Sequence, residues 1–211
     1  MRVGGWCADL LRLPLFAFLE RWIAELSATE PRRAAPYVLD AAVLRLLDRL
    51  ALRMSEATTL GLTDLRTSTR PDGALEVRAW VRKMGHKPKE CPVGGVLHAY
   101  LRWLAVRRTV APLPGHEDAL FLHPWTGHRV SRQRAWHRLR RLGAEAGPPY
   151  DARRSLSPHQ LRHTRARRML DEGWDLAAVQ AVLDHANIAT TSVYLADDER
   201  ERLRTLRALS E

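Results

Sequence analysis

Cysteine is scarce: Cys7 and Cys91 are the only two in 211 residues. Two thiols cannot build a disulfide framework or a four-thiolate zinc site, and they point to a reducing compartment, the cytoplasm. Long apolar runs are missing too. Nothing approaches the roughly 20 residues needed to cross a bilayer. The apolar stretch at residues 10–19 is interrupted by Arg12, followed by Glu20, and has no clear small-residue cleavage site behind it, so it reads as a helix. No glycine-rich phosphate-cradling loop occurs, which leaves nucleoside triphosphate chemistry unsupported. Internal repeats and low-complexity tracts are also absent.

What is present is a globular composition with an excess of positive charge. Hydrophobic residues make up 45% of the chain, enough for a proper core. Lys and Arg number 34 against 24 Asp and Glu, a formal charge of +10. That excess favours a polyanionic partner, because neutralising phosphates releases condensed counterions.

The pattern along the chain is mainly helical. Residues 10–26 read as one helix. The stretch Glu30-Pro31-Arg32-Arg33-Ala34-Ala35-Pro36 reads as a break, since prolines stop helices. Val43, Leu47, Leu50 and Ala51 then recur at helical spacing. Pro71-Asp72-Gly73 is a turn signal. Residues 74–82 alternate: Leu75, Val77, Ala79 and Val81 one way, Glu76, Arg78, Trp80 and Arg82 the other. Period two predicts a half-buried strand, and the basic loop from Lys83 to Lys89 turns it into a hairpin with a cationic tip. A helix over 96–106 presents Leu97, Leu101 and Leu104. Ser131 caps a basic helix reaching to about Leu142. Ser157-Pro158 starts a further helix, with serine as N-cap and proline in the first turn, and Gly173 ends it. Asp175 caps the next helix, and a last one runs from about Thr190. The expected fold is α+β: mainly α with one small antiparallel β-sheet.

Several residues carry chemistry. Ser157-Pro158-His159-Gln160-Leu161-Arg162-His163-Thr164 places His159 and Arg162 on one helical face. Downstream lie His185 and Tyr194, and upstream Arg53 stands in Arg53-Met54-Ser55-Glu56. This ordered set closely resembles the tyrosine recombinase signature: an arginine in R-x-S-E, a lysine on a β-hairpin, an H-x-x-R-H-T box, an L-G-H-x-x-I-x-T-T-x-x-Y box, and the nucleophilic tyrosine. Arg53, His159, Arg162, His185 and Tyr194 match in order and local context, and Lys83 fits the hairpin lysine. Lys87 and Lys89 are alternatives for it. The resemblance spans about residues 38–195.

The resemblance implies a DNA breaking-rejoining catalytic core, and the residue types suit that chemistry. Attack by an alcohol on a phosphodiester adds negative charge to the non-bridging oxygens. Arginine's planar fork donates two parallel charge-assisted hydrogen bonds to such oxygens. Arg53 and Arg162 take that role, with His185 as a third donor. Tyr194 is the nucleophile, giving a 3′-phosphotyrosine and a free 5′-hydroxyl. A phenol with pKa about 10 needs help to ionise, and His159 is the candidate base. Lys83 is the candidate acid for the leaving 5′-oxygen. Neither cofactor nor metal is expected. His159 and His163 also have metal-ligand spacing, but no Glu follows His159 and no cysteine pair lies near.

The resemblance also sets the wider expectations. The partner is double-stranded DNA, with no membrane involved. Lys87, Lys89, Arg132 and His163 are expected to touch it, and a homotetramer on synapsed DNA is expected to do the work. The domain reading is 1–37 as an N-terminal helix and linker, too short for a full clamp domain, and 38–211 as the catalytic domain with a C-terminal helix. The expected function is a site-specific recombinase or integrase. The alternatives are a catalytically impaired DNA-binding relic and a type IB topoisomerase-like enzyme. Two departures stand out: Asp184 occupies the place of the glycine in L-G-H, and Met84 separates Lys83 from Gly85.

Overall fold

The computed structural model describes residues 7–81, 89–92, 96–146 and 157–183. Helix α1 (Cys7–Thr29) and helix α2 (Pro31–Leu50) are joined by the single residue Glu30 and pack on one another. The break is therefore confined to Glu30, and the proline-rich stretch after it is helical. Pro31 opens α2, where an N–H has no helical partner to lose, and Pro36 sits inside the helix. The carbonyl that Pro36 deprives of a donor belongs to Arg32, an exposed residue that water can serve. The division at 37/38 falls inside α2.

Leu15, Leu19, Ile23, Leu46 and Leu47 are almost fully buried in the core shared by α1 and α2. Trp22 stacks on Tyr37 with centroids 6.1 Å apart, and Phe18 meets both rings edge-on. Glu20 takes Arg102 at 2.7 Å and Arg45 at 3.7 Å, linking α1 to α2 and to α4 (Leu97–Arg107).

After α2 come a short helix α3 (Met54–Thr59) and a single 3-10 turn (Leu62–Asp64). A three-stranded antiparallel sheet follows, in the order β1 (Leu65–Thr69), β2 (Leu75–Val81), β3 (Lys89–Pro92). Leu65 pairs with Ala79, and Val81 with Lys89. The alternation read in β2 places Ala79 and Val81 in the core and leaves Arg78 exposed. The expected fold class is what the chain adopts: mostly helix with one small antiparallel sheet.

The face of α4 differs from expectation. It buries Ala99, Tyr100, Trp103 and Arg107, while Leu101 stays 44% exposed. Trp103 decides the rotation. Its ring offers more apolar area than a leucine, and its indole N–H donates to the Leu120 carbonyl at 2.8 Å. Leu120, Phe121 and Leu122 run through the core with isolated bridges beside them.

Helix α5 (Arg132–Ala146) starts where expected, with Ser131 Oγ accepting from the Arg134 N–H. Helices α6 (Pro158–Asp171) and α7 (Leu176–Leu183) complete the described chain. They share a second core with the end of α2: Ala51, Ala166, Met169, Val179 and Leu183. Gly173, at φ +86°, ends α6 as expected. The helix expected from about Thr190 lies outside the described residues. No helix among the described residues is long and apolar enough to cross a membrane.

Candidate active site

The corner between α2 and α3 is the local framework. Helix α2 stops at Leu50, and Ala51 turns into the left-handed region at φ +52° and ψ +31°. Two residues later Arg53 becomes the N-cap of α3. Glu56 then grips it twice: Oε2 accepts from the Arg53 backbone N–H at 2.7 Å, and Oε1 accepts from Nη1 at 2.9 Å. Glu56 is 8% exposed while the Arg53 side chain is 50% exposed. A buried carboxylate thus anchors a guanidinium whose remaining edge reaches solvent.

Helix α6 supplies the second arginine. Ser157 Oγ accepts from the Gln160 N–H, and Gln160 Oε1 accepts from the Ser157 N–H at 2.7 Å, a reciprocal cap that fixes the first turn. His159 is exposed in that turn, and its ring meets His163 edge-on at 4.2 Å. One turn after His159 comes Arg162, only 5% exposed. Its Nη1 donates to the Ala51 carbonyl at 2.6 Å, and its Nη2 to the Leu183 carbonyl. The left-handed turn at Ala51 thus gives Arg162 a fixed acceptor two residues from Arg53. The exposed edge of Arg53 suits a phosphate oxygen, whereas Arg162 is buried with both Nη atoms on backbone carbonyls.

Arg53, His159 and Arg162 are therefore brought to neighbouring elements. Lys83, Lys87, His185 and Tyr194 lie outside the described residues. Lys89 stands in β3, where only its backbone pairing is described. Arg132 is exposed in the first turn of α5, and α5 packs on α3.

Three supporting residues were not singled out from the sequence. Arg129 Nη1 donates to the carbonyls of Thr59 and Leu60 at 3.0 Å each, closing the C-terminal end of α3. Arg168 Nη2 donates to Asp48 Oδ1 at 2.8 Å and to the Asp48 carbonyl at 3.1 Å. Asp48 alone had a signal: an acid among leucines on a buried helix demands a partner.

The surroundings agree with known proteins. Residues 21–201 match the family model described as phage integrase family. The tyrosine recombinase XerC of Ralstonia pickettii is 35% identical over 200 residues, 89% of this chain and 58% of that protein. The XerC of Haemophilus influenzae is 36% identical over 158 residues, 74% of this chain and 48% of that protein. Hence the chain spans about half the length of the curated relatives it matches. Among solved structures, the XerH site-specific recombinase bound to difH substrate superposes with a TM-score of 0.62 at 20% identity, over 84% of this chain and 48% of that one. The XerA recombinase gives 0.61 at 21% identity, over 89% and 61%. At these identities the structures establish a shared fold.

Proposed function

The chain belongs to the phage integrase family, and from that premise we propose that it cuts and rejoins double-stranded DNA through a covalent bond to Tyr194. The observation that carries this reading is the α2–α3 corner, where Arg162 is tied to the Ala51 carbonyl two residues from Arg53. The exposed edge of the Arg53 guanidinium suits the charge that develops on the non-bridging oxygens of a phosphodiester under attack, and Arg162 joins it by exchanging a backbone carbonyl for a phosphoryl oxygen.

The reaction follows from the residue types. His159 takes the proton of the Tyr194 hydroxyl as the phenol oxygen bonds to phosphorus. The bond from phosphorus to the 5′-oxygen breaks, and Lys83 gives that oxygen a proton. His185 is a third donor to the phosphoryl oxygens. Rejoining runs the same steps backwards with a 5′-hydroxyl from another strand, so the phosphotyrosine keeps the bond energy and no triphosphate is used. Lys87, Lys89, Arg132 and His163 contact the DNA on either side. The working form is a homotetramer on two synapsed duplexes.

A nicked duplex that traps the covalent step tests this. The parent chain should give an adduct resistant to detergent, and Tyr194→Phe should give none. Tight binding to a duplex that the protein selects, without any adduct, would instead favour the impaired DNA-binding relic.

A further inference from the structure

Asp48 is fully buried in the last turn of α2, with no solvent exposure. Arg168, on α6, meets it with one nitrogen that donates to both its carboxylate and its backbone carbonyl. The last carbonyls of a helix lack internal donors and carry the negative end of its dipole. Two arginines of one neighbouring helix serve that end of α2: Arg168 at Asp48 and Arg162 at Ala51. Beyond that end the chain needs only Ala51 and Leu52 to reach Arg53. A buried ion pair is a poor device for adding stability, because desolvation offsets much of the attraction, yet it fixes geometry well.

We propose that Asp48 and Arg168 are a positioning pair for Arg53: by locking the end of α2 to α6 they set Arg53 relative to Arg162. This rests on the strand-transfer reading above. Neither residue touches the phosphate. Only Ala51 and Leu52 separate the end of α2 from the N-cap of α3, so a small rotation of the helix end displaces the Arg53 guanidinium from the oxygens it must meet. Misplacement of about an ångström by a change away from the reacting atoms can lower a rate on the order of a hundredfold.

The test uses the full chain and a nicked duplex selected from a randomised pool for covalent capture by the parent protein. Asp48→Leu combined with Arg168→Met removes both charges together, so neither member of the pair is left buried without the other. The expected outcome is a folded protein that binds the duplex within about threefold of the parent but is captured about tenfold more slowly or worse. In an Arg53→Lys background the same double change should add less than about a twofold loss, since its effect runs through Arg53. Should the double variant fail to fold, Arg168→Lys, which keeps the charge but whose ammonium stops short of the Nη2 position, should slow capture about threefold at unchanged affinity. Full additivity with Arg53→Lys, or a loss of rate that only follows a loss of affinity, overturns the proposal. A parent chain that captures no duplex sinks the strand-transfer reading and this inference with it. Capture by the parent with an unaffected double variant sinks this inference alone.

Discussion

Ala51 holds left-handed backbone without being a glycine, a conformation that costs an L-residue roughly 1–2 kcal/mol. Its side chain is 1% exposed and packs with Ala166, Met169, Val179 and Leu183. A larger, β-branched side chain has neither the backbone freedom nor the room. Ala51→Val should therefore lower stability by about 2 kcal/mol or more in urea unfolding; a neutral result would mean the turn relaxes elsewhere. Nothing in Leu50-Ala51-Leu52 announces this turn, because the residues that signal a left-handed helix end are Gly and Asn. Arg53 and Arg162 stood out in the sequence through their motifs. Glu56, which anchors Arg53, lies in the same motif, but the anchors of Arg162 were not legible, since the Ala51 and Leu183 carbonyls are backbone atoms that every sequence possesses. Asp40 is a further buried acid, bonded to Arg138 Nε at 2.7 Å. Burial pushes its carboxyl up from 3.8 to about 6, outweighing the opposite pull of Arg138. The folded protein thus holds this proton more tightly than the unfolded chain. Its stabilising contribution is complete below the unfolded value and is lost as pH rises through about 6. Urea midpoints of the parent should fall relative to those of Asp40→Asn between about pH 4 and pH 7. A constant difference across that range contradicts the raised value.

At the scale of elements, signals that act locally were the readable ones. Ser157 as a cap and Pro158 in the first turn start α6 as expected, and Asp175 Oδ1 accepts from the Ala178 N–H at 2.6 Å to cap α7. Ser157→Ala should cost about 1 kcal/mol by denaturant titration. It should also slow strand cleavage, because the first turn of α6 carries His159. Wild-type stability in that variant would show that the cap is dispensable. Strand β2 was legible from its alternation, whereas β1 was not: only Leu65 is buried in it, the other four residues being exposed, so it has no period to read. The proline-rich start of α2 and the rotated face of α4 share one cause. Tertiary packing of Ala34, Ala35 and Val38 in one case, and of Tyr100 and Trp103 in the other, outweighs local preference.

At the scale of the whole molecule, the charge of +10 and the held arginines belong to one account. A protein that meets DNA through many phosphates loses affinity steeply with salt, on the order of a hundredfold or more between about 50 and 200 mM. Fluorescence anisotropy on the selected duplex should show that slope; a flat response would remove the polyanion from the account. The distant boxes of the sequence matter only if the fold gathers them; Arg162 reaches the Ala51 carbonyl, two residues from Arg53, and His159 stands one turn before Arg162 on α6. The central claim is that Tyr194 completes this set. Mass spectrometry of the trapped complex tests it most directly, because the tryptic peptide from Met169 to Arg200 contains Tyr194 as its single tyrosine. The account predicts that this peptide carries the 3′-phosphorylated DNA remnant on Tyr194. Linkage to any other residue, or a parent chain that cleaves without forming a linkage, contradicts it.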